Sequence, residues 1–332
     1  MIQHPAILAL LGSSLLISLL LAYAGRLGMR ILEAWEPGSG SELQLALERR
    51  TYLISAILGY TLAFQILSLF MYIFTADSIH TQLVGAMCAA GSLNANGFGY
   101  PVLLLKIANC LLAGVWLIVN HVDNRGYDYP LVRNKYRLLS LLVPLVLLET
   151  VFQFAYFQGL RADVITSCCG SLFSAERPSI GGEMSALPAV VMQWLFYGIM
   201  ALVMVCGGYV RLKGRGEYLF TLASVTAFLV AGASLVSFIC LYYYDLPSHH
   251  CPFCLLQKEY GHVGYLLYAS LLAGVVGGLG VGALKPFRGC DSLARVIPPV
   301  QRTLVLITVS SYLLFTLLVS WRMVVSPLRL AP

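Results

Sequence analysis

Long, uninterrupted runs of apolar residues dominate the chain, and short polar stretches separate them. Eight of these runs have about the 20 residues that an α-helix needs to cross roughly 30 Å of hydrocarbon. They lie at about residues 6–25, 51–75, 101–120, 139–160, 189–210, 218–243, 260–284 and 302–321. The stretches between them are rich in Gly, Pro, Asn and charge, which is typical of loops. The pattern predicts an all-α integral membrane protein that crosses the bilayer about eight times.

Composition supports a membrane protein, because 59% of the 332 residues are apolar and 11% are charged. Soluble domains average about half apolar and about one quarter charged residues. Membrane lipid is therefore a predicted partner of the outer helix faces. The first apolar run begins without basic residues and has no clear cleavage site, which predicts a mature helix rather than a signal peptide.

The formal net charge of +6 reflects topology and does not indicate nucleic-acid binding. Fifteen of the 21 Lys and Arg residues fall in one alternating set of loops and five on the opposite side, while Lys106 lies inside a span. Cytoplasmic loops of membrane proteins carry this excess of positive charge. We therefore expect both termini on the exoplasmic side, in a bacterial inner membrane.

The nine cysteines divide by predicted location. Cys110, Cys206 and Cys240 lie in spans and Cys290 in a cytoplasmic loop, where a cysteine most often acts as a small apolar residue. The other five lie in exoplasmic loops, on the oxidising face where disulfides persist. These five are Cys88, Cys168, Cys169, Cys251 and Cys254.

The most informative of these segments is Cys251-Pro252-Phe253-Cys254, which we place at the first turn of the seventh helix. A helix N-terminus and the C-x-x-C spacing both favour the thiolate, which is the nucleophile in disulfide exchange. No His directly follows Cys254, which excludes the usual c-type haem motif. Zinc bound with His249 and His250 would need all its ligands within one tight turn. The spacing favours a redox-active pair, although a structural disulfide and a structural metal both stay open.

Aromatic residues border the same predicted loop. They are Tyr242, Tyr243, Tyr244, Tyr260, Tyr265 and Tyr268. Such residues are typical of the interface between membrane and water. The alternative interpretation is one wall of a pocket for a flat apolar ligand.

The stretch CPFCLLQK, residues 251–258, resembles the DsbB family of membrane oxidoreductases, which pass electrons from thiols to a membrane quinone. The resemblance implies ubiquinone or menaquinone as a cofactor, with Cys254 facing the quinone. It also implies cofactor-binding roles for Lys258, Gln257 and His250. The family has Arg where this chain has Lys258, and Lys keeps the charge without the planar guanidinium.

The order of elements is similar to that of the vitamin K epoxide reductase family, in which a loop cysteine pair precedes the C-x-x-C. The resemblance implies a four-helix thiol-redox bundle at residues 139–285, between an N-terminal region at 1–138 and a C-terminal helix at 286–332. The chain departs from the family because Cys168 and Cys169 are adjacent. Since a disulfide between neighbouring residues is strained, we expect Cys88 to supply a partner.

The leading hypothesis is a quinone-linked thiol–disulfide oxidoreductase. Cys88, Cys168 and Cys169 would accept electrons from a soluble exoplasmic thiol protein and relay them to Cys251 and Cys254. One alternative is binding or transport of a soft metal such as Cu(I) or Hg(II) by the loop thiols. Another is a membrane subunit of a larger electron-transfer complex, with structural disulfides. The sequence predicts no resident metal ion.

Overall fold

A computed structural model of the protein describes residues 4–36, 39, 41–161 and 180–330. Within that part of the chain the structure is helical, and no β-strand occurs. The α-helices are α1 (Pro5–Ala34), α2 (Glu42–Ser78), α3 (Ala89–Leu93), α4 (Gly99–Asp123), α5 (Val132–Gln158), α6 (Ile180–Ser185), α7 (Ala189–Lys213), α8 (Glu217–Ser234), α9 (Cys240–Tyr244), α10 (Val263–Leu284) and α11 (Ile297–Val325). A π-helical segment, Leu235–Ile239, joins α8 to α9.

Eight helical segments of the described residues are long and apolar enough to cross a membrane. The predicted all-α multi-pass membrane protein is therefore confirmed. Large apolar side chains such as Leu16, Tyr60 and Trp194 point outward, where lipid can contact them. Several helices run beyond the predicted apolar runs; α1, for example, continues to Ala34. Helices continue past the hydrocarbon because charged residues such as Arg and Glu also favour helix formation.

The described residues divide into two compact units. The first contains the residues up to Thr75, Asn96–Leu160 and Pro286–Val300, and thus most of the first four spans. The second contains Ala76–Ala95, the described residues from Arg161 to Lys285, and those from Gln301 onward. This division groups the fourth span with the first three, whereas the sequence analysis grouped it with spans five to seven.

In the first unit, α5 packs against α1 and α4 around a buried apolar core. Trp116 and Tyr136 are fully buried in that core. A Cβ atom on Gly28 would lie 2.7 Å from the ring of Tyr136, so a glycine is needed where α1 crosses α5. Small residues allow this close approach of helices inside a bilayer.

A buried ion pair links α4 to α5 in the first unit. The Lys106 ammonium lies 2.6 Å from the Glu149 carboxylate, and both side chains are shielded from solvent. Gln65 Nε2 and Asn109 Nδ2 each donate to the same carboxylate at 2.6 Å. Lys106 also donates to Ser68 Oγ at 3.1 Å. A charge in a span requires such partners, because lipid offers none.

Removing one partner of this pair should destabilise the first unit. We expect Lys106→Met to lower the free energy of unfolding by about 3–5 kcal/mol, because it leaves the Glu149 carboxylate buried and uncompensated. Lys106→Met combined with Glu149→Gln should recover more than half of that loss, since an amide oxygen still accepts from Gln65 and Asn109. Denaturant unfolding in mixed micelles measures both, with Lys213→Met, an exposed lysine, as the control. A loss equal to that of the control would contradict a role for the pair in stability.

In the second unit, glycines of α10 allow its neighbours to approach closely. A Cβ atom on Gly278 would lie 2.1 Å from Ser224 Oγ of α8. Thr221 of α8 donates to the Gly278 carbonyl at 2.8 Å. On α11, Arg322 pairs with Asp245 at 2.7 Å and donates to the last carbonyls of α9. These contacts hold fixed the spans that border the loop of Cys251 and Cys254.

Candidate functional site

The Cys251–Cys254 segment lies between the sixth and seventh spans, in the second unit. Cys254 begins a single 3₁₀ turn, Cys254–Leu256, and a second turn, Lys258–Tyr260, follows it. The helix α10 begins only at Val263. The predicted position at the first turn of the seventh helix is therefore wrong, because both thiols precede α10 in the chain. The reason is local: Gly261 and His262 adopt left-handed conformations, with φ of 63° and 55°, and these interrupt the helix.

Cys88, from the segment between the second and third spans, joins the pair in the second unit. Its Sγ lies 3.6 Å from Cys251 Sγ, although 163 positions separate the two residues. The three sulfur atoms of Cys88, Cys251 and Cys254 lie within 4.8 Å of one another. The exposed fractions of these residues are 0%, 0% and 4%. We call these three residues the cysteine cluster; its members are thiols in this structure.

Side-chain hydrogen bonds join the Cys88 segment to the C-x-x-C loop. Gln257 Nε2 donates to the Met87 carbonyl at 2.8 Å and also hydrogen bonds the Asp77 carboxylate. Asp77 Oδ1 in turn accepts from the backbone N–H of Ala89 at 3.1 Å. Gln257, predicted as a cofactor-binding residue, thus positions the backbone next to Cys88.

Tyrosines of the spans hold the C-x-x-C loop from the other side. The Tyr244 hydroxyl donates to the Cys251 carbonyl at 2.6 Å, and the Tyr268 hydroxyl donates to the Pro252 carbonyl. Cys240, to which the sequence analysis gave no role, hydrogen bonds Tyr244. From the sequence, these tyrosines could be recognised only as aromatic residues next to the predicted loop. Hydrogen bonds from a side chain to a distant backbone carbonyl produce no periodic pattern in the sequence.

The two neighbouring histidines have different surroundings. His249 Nε2 lies 3.4 Å from Cys254 Sγ, and its ring packs 4.3 Å from that of Tyr244. Burial lowers the pKa of His249; nearby Cys88 opposes this effect and His250 adds to it. His250 Nδ1 donates to the Val236 carbonyl in the π-helical segment at 2.7 Å. Such π segments often occur at functional sites.

The remaining predicted site residues lie elsewhere or outside the described part. The Lys258 side chain is exposed to solvent. Cys168 and Cys169 lie outside the described residues. Sequence reasoning considered His249 only as a possible zinc ligand and gave it no role beside Cys254; its adjacency to the C-x-x-C was the only signal for that contact.

A pocket of about 370 Å³ lies in the second unit. It is lined by Tyr243, Glu259, Tyr260, Val263, Leu318, Trp321 and Arg322. The Tyr260 ring contacts Tyr244 edge-on with centroids 4.7 Å apart, which connects the pocket to the tyrosine that holds Cys251. Burial raises the pKa of Tyr260, so its hydroxyl stays protonated. Two of the six tyrosines that border the loop in the sequence, Tyr243 and Tyr260, thus line a pocket. The last span contributes Trp321 and Arg322 to it.

Comparisons with protein-family models, curated proteins and solved structures found no match for this chain.

Gly264 determines how closely the C-x-x-C loop packs on α10. A Cβ atom there would lie 2.9 Å from the backbone carbon of Leu255, beside Cys254. We expect Gly264→Ala to displace this loop and to raise the rate of maleimide labelling of Cys254 by about tenfold, because local opening costs less. Gly208→Ala is the matched control, since no neighbouring atom of the described residues lies within 4 Å of the Cβ position at Gly208. Equal labelling rates in the two variants would show that the loop tolerates the added methyl.

Proposed function

We propose that this protein is a membrane thiol–disulfide oxidoreductase that delivers electrons from thiols to a quinone. The observation that carries the proposal is the 3.6 Å separation of the Cys88 and Cys251 sulfurs in a buried cluster. Thiol–disulfide exchange requires a thiolate to approach one sulfur of a disulfide directly. The resemblance of residues 251–258 to the DsbB family supports the same chemistry.

The exchange step uses the three thiols of the cysteine cluster. In the oxidised protein, Cys251 and Cys254 form the disulfide. The Cys88 thiolate attacks Cys251 Sγ, an S–S bond forms between Cys88 and Cys251, and Cys254 leaves as the thiolate. The bond count is unchanged, and the electron pair now resides on Cys254.

His249 lies within hydrogen-bonding distance of the sulfur that leaves in this step. Its Nε2 is 3.4 Å from Cys254 Sγ, and burial lowers the pKa of the ring, which favours the neutral imidazole. A neutral imidazole with its proton on Nε2 can donate a hydrogen bond to a thiolate. We therefore assign His249 the role of stabilising the Cys254 thiolate that leaves in the exchange step.

The pocket of Tyr243, Tyr260, Trp321 and Arg322 is the proposed quinone site. Its volume of about 370 Å³ falls within the usual range of ligand pockets. Its lining combines three aromatic rings with Glu259 and with Arg322, which also pairs with Asp245, and the rings offer flat surfaces for a quinone ring. A quinone bound there supplies a two-electron acceptor. Lys258, predicted for this role, does not line the pocket.

The proposal places the cysteine cluster on the exoplasmic side, with both termini on that side. The distribution of basic residues supports this orientation. Cys168 and Cys169 would accept electrons from a soluble thiol protein, because the buried cluster itself is closed to a large partner.

Serine variants of the cluster test the exchange step. Cys251→Ser and Cys254→Ser should each lower quinone-dependent thiol oxidation by about two orders of magnitude or more, because the disulfide that Cys88 attacks can no longer form. Cys88→Ser should abolish the Cys88–Cys251 disulfide that mass spectrometry finds after partial oxidation. Cys206→Ser and Cys290→Ser are controls and should retain activity. Full activity of Cys254→Ser, or a disulfide that never opens with quinone redox state, would contradict an enzyme.

Variants of the pocket test the acceptor site separately. Tyr260→Ala and Trp321→Ala should each raise the KM for quinone by about tenfold, since an aromatic contact contributes about 0.5–1.5 kcal/mol. Oxidation of the same thiols by diamide, a soluble oxidant, should be unchanged. The control is Trp194→Ala, whose side chain is exposed on the outer face of α7. An unchanged KM in both pocket variants would place the quinone elsewhere.

A further inference from the structure

Three sulfur atoms converge at the cysteine cluster, and a histidine nitrogen lies beside one of them. The three sulfurs lie within 4.8 Å of one another, with Cys88 and Cys251 at 3.6 Å. His249 Nε2 adds a nitrogen 3.4 Å from Cys254 Sγ. We propose that the reduced cluster, together with His249, is a tetrahedral binding site for one thiophilic divalent cation, of which Zn²⁺ is the reference ion.

Two separations between donor atoms fit the edges of such a tetrahedron. Zinc–sulfur bonds of about 2.3 Å and zinc–nitrogen bonds of about 2.0–2.1 Å set ligand separations of roughly 3.8 Å for two sulfurs and 3.5 Å for sulfur and nitrogen. The observed 3.6 Å and 3.4 Å lie close to these values. Two of the six edges of the tetrahedron therefore already have about the length that a bound ion requires.

Cys88 removes the geometric objection that the sequence raises against zinc. Ligands drawn only from residues 249–254 would crowd one turn, and a tetrahedron needs a donor from outside it. Cys88 arrives from the segment between the second and third spans and supplies that donor. The set Cys₃His is a common structural zinc combination. His250 is not a candidate fourth ligand through Nδ1, which donates to Val236.

Charge and burial also favour an ion. Three thiolates in a site with exposed fractions of 0–4% would carry three negative charges without solvent. A divalent cation reduces that charge to −1 and stabilises the deprotonated thiols. Neutral His249 adds no charge. The dry surroundings also exclude water from the coordination sphere, as in closed structural sites.

This inference does not rest on the proposed oxidoreductase function, because it requires only the reduced thiols. The two uses of the cluster exclude each other. Oxidation of Cys88 and Cys251 to a disulfide passes two electrons to an oxidant, which is the quinone of the proposed function; it breaks two metal–sulfur bonds and releases the ion. The ion-bound form would therefore be the resting, exchange-silent form of the cluster.

The test is Co²⁺ and Zn²⁺ titration of the full-length protein in detergent, reduced and freed of metal by a chelator. We expect one ion per chain, with tetrahedral ligand-field bands and sulfur-to-cobalt charge-transfer absorption that Zn²⁺ displaces. Cys88→Ser and His249→Ala should each weaken binding by about 100-fold, because each removes a direct ligand. The charge-transfer intensity per ion should fall in Cys88→Ser and remain in His249→Ala, a difference that general misfolding would not produce.

Controls and contrary outcomes keep the two proposals separate. Cys290→Ser and His121→Ala change a cysteine and a histidine outside the site and should bind as the wild type does. No binding by the reduced wild-type protein, or binding that neither Cys88→Ser nor His249→Ala weakens, would overturn the metal site. Quinone-dependent thiol oxidation by the same metal-free sample tests the enzyme independently. Activity without ion binding would support the enzyme and overturn the metal site. Ion binding without activity would support the metal site and overturn the enzyme.

Discussion

Lipid forms no hydrogen bonds, so each polar group within a span must find its partner inside the protein. Both units show the consequence. In the first, the Glu149 carboxylate accepts from Lys106, Gln65 and Asn109 in one buried network. In the second, carbonyls of helical backbone accept from side chains, as Gly278 does from Thr221. Apolar contacts alone do not determine which helices pack together, because the apolar surface of one helix resembles that of another. Close steric fit and polar contacts between particular side chains determine the helix pairs.

The cysteine cluster depends on the same constraint, although it lies in loops. Tyr244 and Tyr268 belong to helices of the second unit, and their hydroxyls need acceptors. They find them in the carbonyls of Cys251 and Pro252, at the loop that carries two of the thiols. The loop thereby gains fixed points on two spans, and Gln257 adds one on the Cys88 segment. These contacts fix the positions of three sulfur atoms that belong to loop segments.

Part of the fold and of the site can be predicted from the sequence. The rest depends on backbone conformation or on contacts between distant residues. The eight spans follow from length and apolarity, which are local properties. The C-x-x-C is also local, but its place before rather than within a helix depends on positive φ at Gly261 and His262. The approach of Cys88 to Cys251 joins positions 163 residues apart, and no local pattern encodes it. The sequence shows that Lys106 is a charge within a span. Its pairing with Glu149 could not be predicted, because it depends on how α4 packs against α5.

The two chemistries proposed for the cysteine cluster are linked through the same electrons. An ion that binds only the dithiol form stabilises that form, and it does so by RT ln(1 + [ion]/Kd). For a two-electron couple, each factor of ten by which the free ion exceeds its Kd raises the reduction potential of the cysteine cluster by about 30 mV, because the ion stabilises the reduced form. Ion availability would therefore set how readily a quinone can draw electrons from the thiols. Because the coupling is reciprocal, oxidation of the cluster must weaken ion binding by the same factor. Both effects act at one buried group of donors, so a single change at Cys88 or His249 alters them together.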